Sequence, residues 1–419
     1  MLDRDLIRRD PDRVKAAALA KGDACDIDGW LGLDARRREL LVSVEELRKR
    51  RNDLSNEVSD LRKRGLDADA LIAESRDTGE AIAGLDEELR AIDERMASLE
   101  LSFPNIPDPD VPLGATEADN VVVRSWGEPE ELGFEPLAHW DLMGGAMDVE
   151  ASGRIAASNF ILFRGWAAEL QRRLISWMID YHVSSGMQEV WTPFLACRDS
   201  MVTTSQIPKL EDDMYRLSGD DLYLVPTGEV PITNIFRGAM LDESELPVRL
   251  CGYTPCFRRE AGSYGKETRG LNRVHQFEKV EFVRIEHPER SEAALEEMTA
   301  HAGSMLRELG IPYRVVLLAA GDLSFAAARC HDLEIWSAGQ GKWLEVSSVS
   351  NFRDFQARRG SIRYRPSGGG KPRLVHTLNG SGLALPRLIS AIVENNQTER
   401  GTVSLHGTLE RLMGRKELP

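Results

Sequence analysis

The chain has 419 residues, 42% of them apolar and 29% charged, with a formal net charge of −15 at pH 7. This is the composition of a soluble globular protein with room for two or three domains, and its acidity argues against a protein that coats nucleic acid indiscriminately, though not against a local basic patch. No apolar run is long enough to span a membrane and the start, Met1 to Arg9, is charged, so no membrane or secretory segment is expected and the location is read as cytoplasmic.

Cys25, Cys197, Cys251, Cys256 and Cys330 are scattered and form no CxxC. Reduced thiols are expected, and no structural zinc.

In chain order, the first pattern is a pair of helices. Leu40, Val44, Leu47, Leu54, Val58 and Leu61 follow a four-three spacing, with Arg51 at the polar seam position. After Arg62-Lys63-Arg64-Gly65 the spacing resumes through Leu71, Ser75, Thr78, Ile82, Leu85, Leu89, Ile92, Met96 and Leu99. A shared period of about 3.5 around a Gly-containing turn predicts an antiparallel coiled-coil hairpin over about 33–100, each arm on the order of 45 Å long. The first helix is basic and the second acidic. Ordinary pairing between the two accounts for part of that charge; a basic stripe and tip that tracks a phosphate backbone is the functional alternative. Residues 103–115 carry four prolines and read as a stiff linker. The expected division is therefore an N-terminal domain at 1–102, a linker at 103–115 and a second domain at 116–419.

Beyond the linker, Trp166 to Tyr181 reads as an amphipathic helix and Glu189 to Thr192 as a strand stopped by Pro193. Further strands are expected at Leu222–Val225, Arg249–Tyr253, Lys279–Ile285, Tyr313–Leu318, Asp332–Trp336 and Trp343–Ser348. Helices are expected at Ser291–Leu309, with Ser291 as N-cap, and at Leu383–Asn395. Strands that arrive as hairpins favour an antiparallel sheet, so the fold class is α+β. There is no GxxxxGK[ST] and no GxGxxG, so a nucleotide would not be held by those loops.

The stretch Phe257 to Glu281 is the richest in chemistry. An apolar run ends at Phe257 and meets Arg258, Arg259 and Glu260. A Gly-rich polar loop follows, and the chain returns through His275-Gln276-Phe277 into a second apolar run bearing Glu278 and Glu281. A hairpin that offers guanidinium, aromatic face and carboxylate on one small surface suits a nucleoside triphosphate.

Five segments then agree with a single pattern: Thr227-Gly228-Glu229-Val230-Pro231, Thr268-Arg269-Gly270-Leu271, His275-Gln276-Phe277, Asp354-Phe355-Gln356-Ala357-Arg358-Arg359 and Asn379-Gly380-Ser381-Gly382. With the helical arm, they make the chain resemble bacterial seryl-tRNA synthetase, a class II aminoacyl-tRNA synthetase, nearly end to end. The resemblance implies a tRNA-binding arm joined to a catalytic domain whose mainly antiparallel sheet is flanked by helices. It implies a homodimer formed through the segment ending near Pro193. ATP, Mg²⁺, L-serine and tRNA(Ser) are the implied ligands, with tRNA(Sec) where present.

Residue by residue, the resemblance implies catalytic roles for Arg258, Glu345 and Arg387. Arg258 would bridge the α-phosphate and the serine carboxylate, and Arg387 would reach the γ-phosphate. Arg259, Glu260, Val274, Phe277, Val346, Ser347 and Ser348 would complete the ATP site, with Phe277 stacked on adenine. Glu345 and Ser348 would hold Mg²⁺. Thr227, Gly228, Glu229, Glu281, Asn379 and Ser381, with Arg258, would form the serine pocket.

The chain departs from the family pattern at Arg329-Cys330-His331, Arg259, Val349, Pro386 and Asn396. A divergent second copy serving inhibitor resistance or a biosynthetic pathway is one reading of these departures, and a housekeeping enzyme with drift is the other. A carrier-protein loader would lack the arm, and an inactive paralogue would lack Arg258, Glu345 or Arg387.

Overall fold

The computed structural model describes residues 1–261 and 269–419. The chain divides after Pro104, inside the proline-rich segment. Met1–Leu19 with Asp23–Pro104 form one unit, and Ala20–Gly22 with Asn105–Pro419 the other.

The first unit is built on two long helices, α1 (Ile27–Lys63) and α2 (Asp69–Leu101). At about 1.5 Å per residue they run roughly 55 and 50 Å. Helix α1 starts earlier than the heptads announce, because Asp26 caps it by accepting from the Gly29 N–H at 2.8 Å. The seam is the expected one. Leu40, Val44 and Leu54 are buried on α1, and Ile82, Leu89, Ile92 and Met96 on α2. Near its base Trp30 is fully buried and donates Nε1–H to Glu100 at 2.8 Å.

The second unit is an eight-stranded sheet. Its strands in chain order are β1 (Val121–Trp126), β2 (Gln188–Glu189), β3 (Val248–Phe257), β4 (Gln276–Glu286), β5 (Tyr313–Leu317), β6 (Arg329–Ser337), β7 (Lys342–Asn351) and β8 (His376–Ala384). They lie in the order β1-β5-β6-β7-β8-β4-β3-β2. Every neighbouring pair is antiparallel except β2 with β3.

Helices α3 (Trp166–Ser184), α5 (Ser291–Glu308) and α7 (Leu385–Asn395) contribute Leu170, Leu174, Met298, Met305, Leu388 and Ile392 to one core. Cys251, Val280, Phe282, Val346 and Val349 of the sheet pack in the same core. On β4 the intervening residues Val283 and Ile285 belong to a second core with Ile232 of the short helix α4 (Glu229–Asn234) and Ala357 of α6 (Phe355–Gly360). Two cores, one per face, are what strand alternation requires of a sheet covered on both sides.

Three local expectations change. Ser291 is the first residue of α5 and not its N-cap; its hydroxyl lies 3.3 Å from the Pro288 carbonyl and 2.7 Å from His376 Nδ1. The strand before Pro193 is confined to Gln188–Glu189. Leu383 and Ala384 end β8, and α7 begins at Leu385. The segment Asn379-Gly380-Ser381-Gly382 is thus a central strand. A Cβ at Gly380 would lie 2.4 Å from the Phe282 ring, and one at Gly382 would lie 2.2 Å from His182 Nε2. Glycine is there for close approach, not for a turn.

Candidate active site

Alternation on β4 sets out the floor of a cleft. Phe277, Lys279 and Glu281 are two apart, so their side chains leave one face of the sheet, opposite Val280 and Phe282. Strand β7 would not ordinarily put Glu345 and Ser348 on the same face, since they are three apart. A register shift between Glu345 and Ser347 adds one residue and brings them together. Strand β8 adds Asn379 and Ser381, with the two glycines turned to the core.

The result is a cleft of about 470 Å³ whose lining includes Arg258, Glu260, Phe277, Glu345, Ser381 and Arg387. A recess of about 230 Å³ shares Thr227, Arg258, Lys279, Glu345 and Ser381 with it, and adds Glu229, Ser348 and Asn379. These are sizes for a small molecule and its appendage.

Arg258 follows the end of β3. Its Nε lies 3.3 Å from the Pro226 carbonyl, and its guanidinium sits over the Phe277 ring, 5.2 Å from the centroid. Arg387, in the first turn of α7, directs Nη1 to the Glu345 carbonyl at 2.8 Å and to Glu345 Oε2 at 3.0 Å. Burial alone would raise the Glu345 carboxyl, but Arg387, with Arg258 and Lys279, holds the group below the usual carboxylate range. Glu260 takes a positive φ of 50° and meets Arg273 at 3.2 Å. Val274 is buried and lines the same cleft.

The chain re-enters the described residues at Arg269. Gly270 has φ of +75°, and a Cβ there would lie 2.2 Å from His139 Nε2. The next N–H, of Leu271, donates to that nitrogen at 2.9 Å, while His139 Nδ1 lies 2.7 Å from Glu394 of α7. The strand return and the helix bearing Arg387 are therefore tied through one imidazole. Thr268 and most of the Gly-rich loop of the hairpin lie outside the described residues.

Beneath the recess, bonded to three of the residues that line it, Glu281 is completely buried and is not itself part of the lining. It accepts from Thr227 Oγ1 at 3.2 Å and from Asn379 Nδ2 at 3.0 Å, and it pairs with Lys279, whose Nζ also donates to Thr227 at 2.7 Å. Desolvation pushes the Glu281 carboxyl up and Lys279 opposes it. Glu229 accepts from Gln356 Nε2 at 2.6 Å; its carboxyl is pushed up to about 7, chiefly by burial. Gly228 packs where a Cβ would lie 2.8 Å from Glu281 Cβ.

Four expected site residues do not present their side chains to the cleft or recess, and one of them is Glu281, covered by the lining. Val346 is in the core, and Ser347 is buried with its hydroxyl donating to the Ser381 carbonyl at 2.6 Å. They are the two residues at the register shift, so their side chains leave the cleft face. Arg259 directs Nη1 to the Asp212 carbonyl at 3.2 Å. Conversely, Lys279, Gln206 and Gln356 were not among the expected residues. Strand alternation from Glu281 back to Phe277 was the signal that would have found Lys279.

Of the departures from the family pattern, Pro386 lines the cleft, and Cys330 Sγ lies 3.1 Å from Ser348 Oγ. Arg329 pairs with Asp110, His331 meets Thr299 at 3.1 Å, and Val349 is in the core. Asn396 turns its amide to the Ile392 carbonyl at 2.8 Å.

Among the described residues no group of three or more His, Cys, Asp or Glu side chains is arranged to hold a metal ion. Glu345 and Ser348 supply two hard oxygens on one face beside the cleft. That donor set suits Mg²⁺ held mainly by phosphates and water.

Known families match this arrangement. The N-terminal domain of seryl-tRNA synthetase matches residues 1–107, and the class II tRNA synthetase core domain (G, H, P, S and T) matches residues 209–396. The serine--tRNA ligase of Thermomicrobium roseum is 49% identical over 99% of this chain and 94% of its own length. That of Moorella thermoacetica is 53% identical over 99% of this chain and 98% of its own. The chain belongs to the seryl-tRNA synthetase family. Within that family, the solved seryl-tRNA synthetase from Pyrococcus horikoshii complexed with ATP superposes with a TM-score of 0.95 at 36% identity, covering 100% of this chain and 99% of the other. The cytoplasmic enzyme from Naegleria fowleri in complex with AMP gives 0.90 at 28% identity, covering 100% and 98%. Among the described residues no helix is long and apolar enough to cross a membrane.

Proposed function

We propose that the chain attaches L-serine to tRNA(Ser) in two steps, ATP-dependent formation of seryl-adenylate and transfer of the seryl group to the terminal ribose of the tRNA. The observation that carries the reading is the convergence of Arg258, Arg387 and Glu345 on one cleft beside a recess lined by the buried Glu229, with the buried Glu281 beneath it. A serine carboxylate is already a nucleophile at neutral pH, so the first step needs no side-chain base. It needs alignment with the α-phosphate and relief of the charge that develops there.

Arg258 is the guanidinium for that charge, and its stacking on Phe277 fixes its direction. Phe277 is the platform for adenine, with Glu260 facing the exocyclic amine and Val274 supplying backbone contacts. Arg387 takes the γ-phosphate. Glu345 and Ser348 would hold Mg²⁺, which supplies charge neutralisation of the triphosphate. Contributions from Arg259, Val346 and Ser347 would come from the backbone.

Thr227, Glu229, Glu281, Asn379 and Ser381 read the ammonium and hydroxyl of serine. Alanine would leave buried donors and acceptors unmatched, the arrangement that rejects an analogue lacking the hydroxyl. Arg51, Arg62 and Arg64, exposed on the arm and without an ion pair among the described residues, are a surface for the tRNA backbone, and tRNA(Sec) would be served where it exists. Trp191, 73% exposed beside edge strand β2, supports a homodimer formed there. The family's work in translation supports a cytoplasmic location.

The test is serine-dependent exchange of pyrophosphate into ATP, followed by charging of tRNA(Ser). Exchange with serine but not alanine, and charging of tRNA(Ser) over a carrier protein, are the expected results. Absence of exchange with serine would refute the reading.

A further inference from the structure

Gln356 touches neither opening of the site, yet it is joined to the recess. It is fully buried on α6. Its Nε2 donates to Glu229 Oε1 at 2.6 Å, and its Oε1 accepts from Thr377 Oγ1 at 2.8 Å. A carboxylate requires an N–H here, so the amide can face only one way, and the Thr377 hydroxyl must then donate to its oxygen.

We propose that Gln356 is a positioning residue for amino-acid recognition: clamped by Thr377, it holds Glu229 in place and charged, so that the recess accepts an ammonium at neutral pH. The proposal rests on the recess being the serine site.

The charge balance of the recess supports it. Strand β4 turns Glu281 and Lys279 toward Glu229, the residue Gln206 offers a further amide, and Arg258 and Glu345 line the same recess. Lys279 is committed to Glu281 and Thr227. Among the described residues Glu229 has no ion pair. Its partners are amides, which leaves one negative charge unmatched in a buried space, and a substrate ammonium is the missing cation. Burial and Glu281 push the Glu229 carboxyl toward holding its proton, and the Gln356 bond opposes them. Once protonated, Glu229 would offer one oxygen less to an ammonium that can only donate.

The test is the KM for serine in pyrophosphate exchange from pH 6 to 8.5, for the unaltered protein, Gln356→Met and Thr377→Val. Methionine keeps most of the volume and removes the donor. In the unaltered protein KM for serine should rise as pH falls through about 7. With Q356M the rise should move alkaline by about one unit. KM would then be about fivefold higher at pH 7, approach tenfold at pH 6 and come within about twofold at pH 8.5, with KM for ATP unchanged. T377V should move in the same direction by less, and it carries the test alone if Q356M does not fold. A serine KM that stays at the unaltered value, or rises by one factor at every pH, overturns the role of Gln356. No serine-dependent exchange in the unaltered protein overturns instead the reading of the recess.

Discussion

The helical arm and the sheet unit use charge in opposite ways. Along the arm Arg36 meets Glu88 at 2.9 Å, Arg48 meets Asp86 at 3.1 Å and Arg50 meets Glu74 at 2.7 Å, all between exposed side chains. In the sheet unit Lys279 and Glu281 pair in near-complete burial. Exposed pairs are screened and lose side-chain freedom, so they set register and solubility more than stability. A buried pair has lost its water and depends on its partner. The cations of the arm are therefore spare: those opposite the acidic helix are matched, while Arg51, Arg62 and Arg64 have no ion pair among the described residues. The cations of the cleft are not spare.

Three substitutions and one deletion sharpen that contrast, taken from the largest expected effect down. Lys279→Met leaves Glu281 buried without its cation and should cost about 3–5 kcal/mol in urea unfolding; an effect under about 1 kcal/mol would mean that water reaches the pair. Arg258→Ala should lower serine-dependent exchange about 10²- to 10³-fold with little change in melting temperature. Shortening the arm between Arg51 and Ala81 should leave exchange intact and reduce charging of tRNA(Ser) at least about tenfold, with a weakened salt dependence. If both activities fell together, the arm would be a folding element. Arg50→Ala should change neither melting temperature nor exchange measurably, and a clear loss would contradict the view that the arm's exposed pairs are dispensable.

The arm was legible because a seam between two helices has one period and no other requirement. Leu40, Val44, Leu54, Ile82, Leu89 and Met96 are buried where the heptads put them. The paired strands β3 and β4 were legible too, since Leu250 to Phe257 and Val280 to Ile285 are strand-like runs rich in β-branched and aromatic residues on either side of a polar loop. Strand β8 was not. Its Gly380 and Gly382 have the composition of a turn, and only the Phe282 ring and His182 across the interface explain them. The residues expected at the site gather for the most part in one cleft. Val346 and Ser347 turn inward because a register shift cannot be read from residue types. Gln356 escaped because a buried amide looks like any helix residue until its partner Glu229, far off in the chain, is seen beside it.

The shift on β7 has a consequence for the length of the chain. Glu345 and Ser348 share a side of the sheet only because one residue between them is surplus to the pleat. Deleting Val346 would leave every polar residue of the cleft in place as a letter, yet it would send either the acid or the hydroxyl into the hydrocarbon beneath. Distant relatives that keep both residues but close this gap by one position should therefore be sorted by spacing before they are credited with the chemistry.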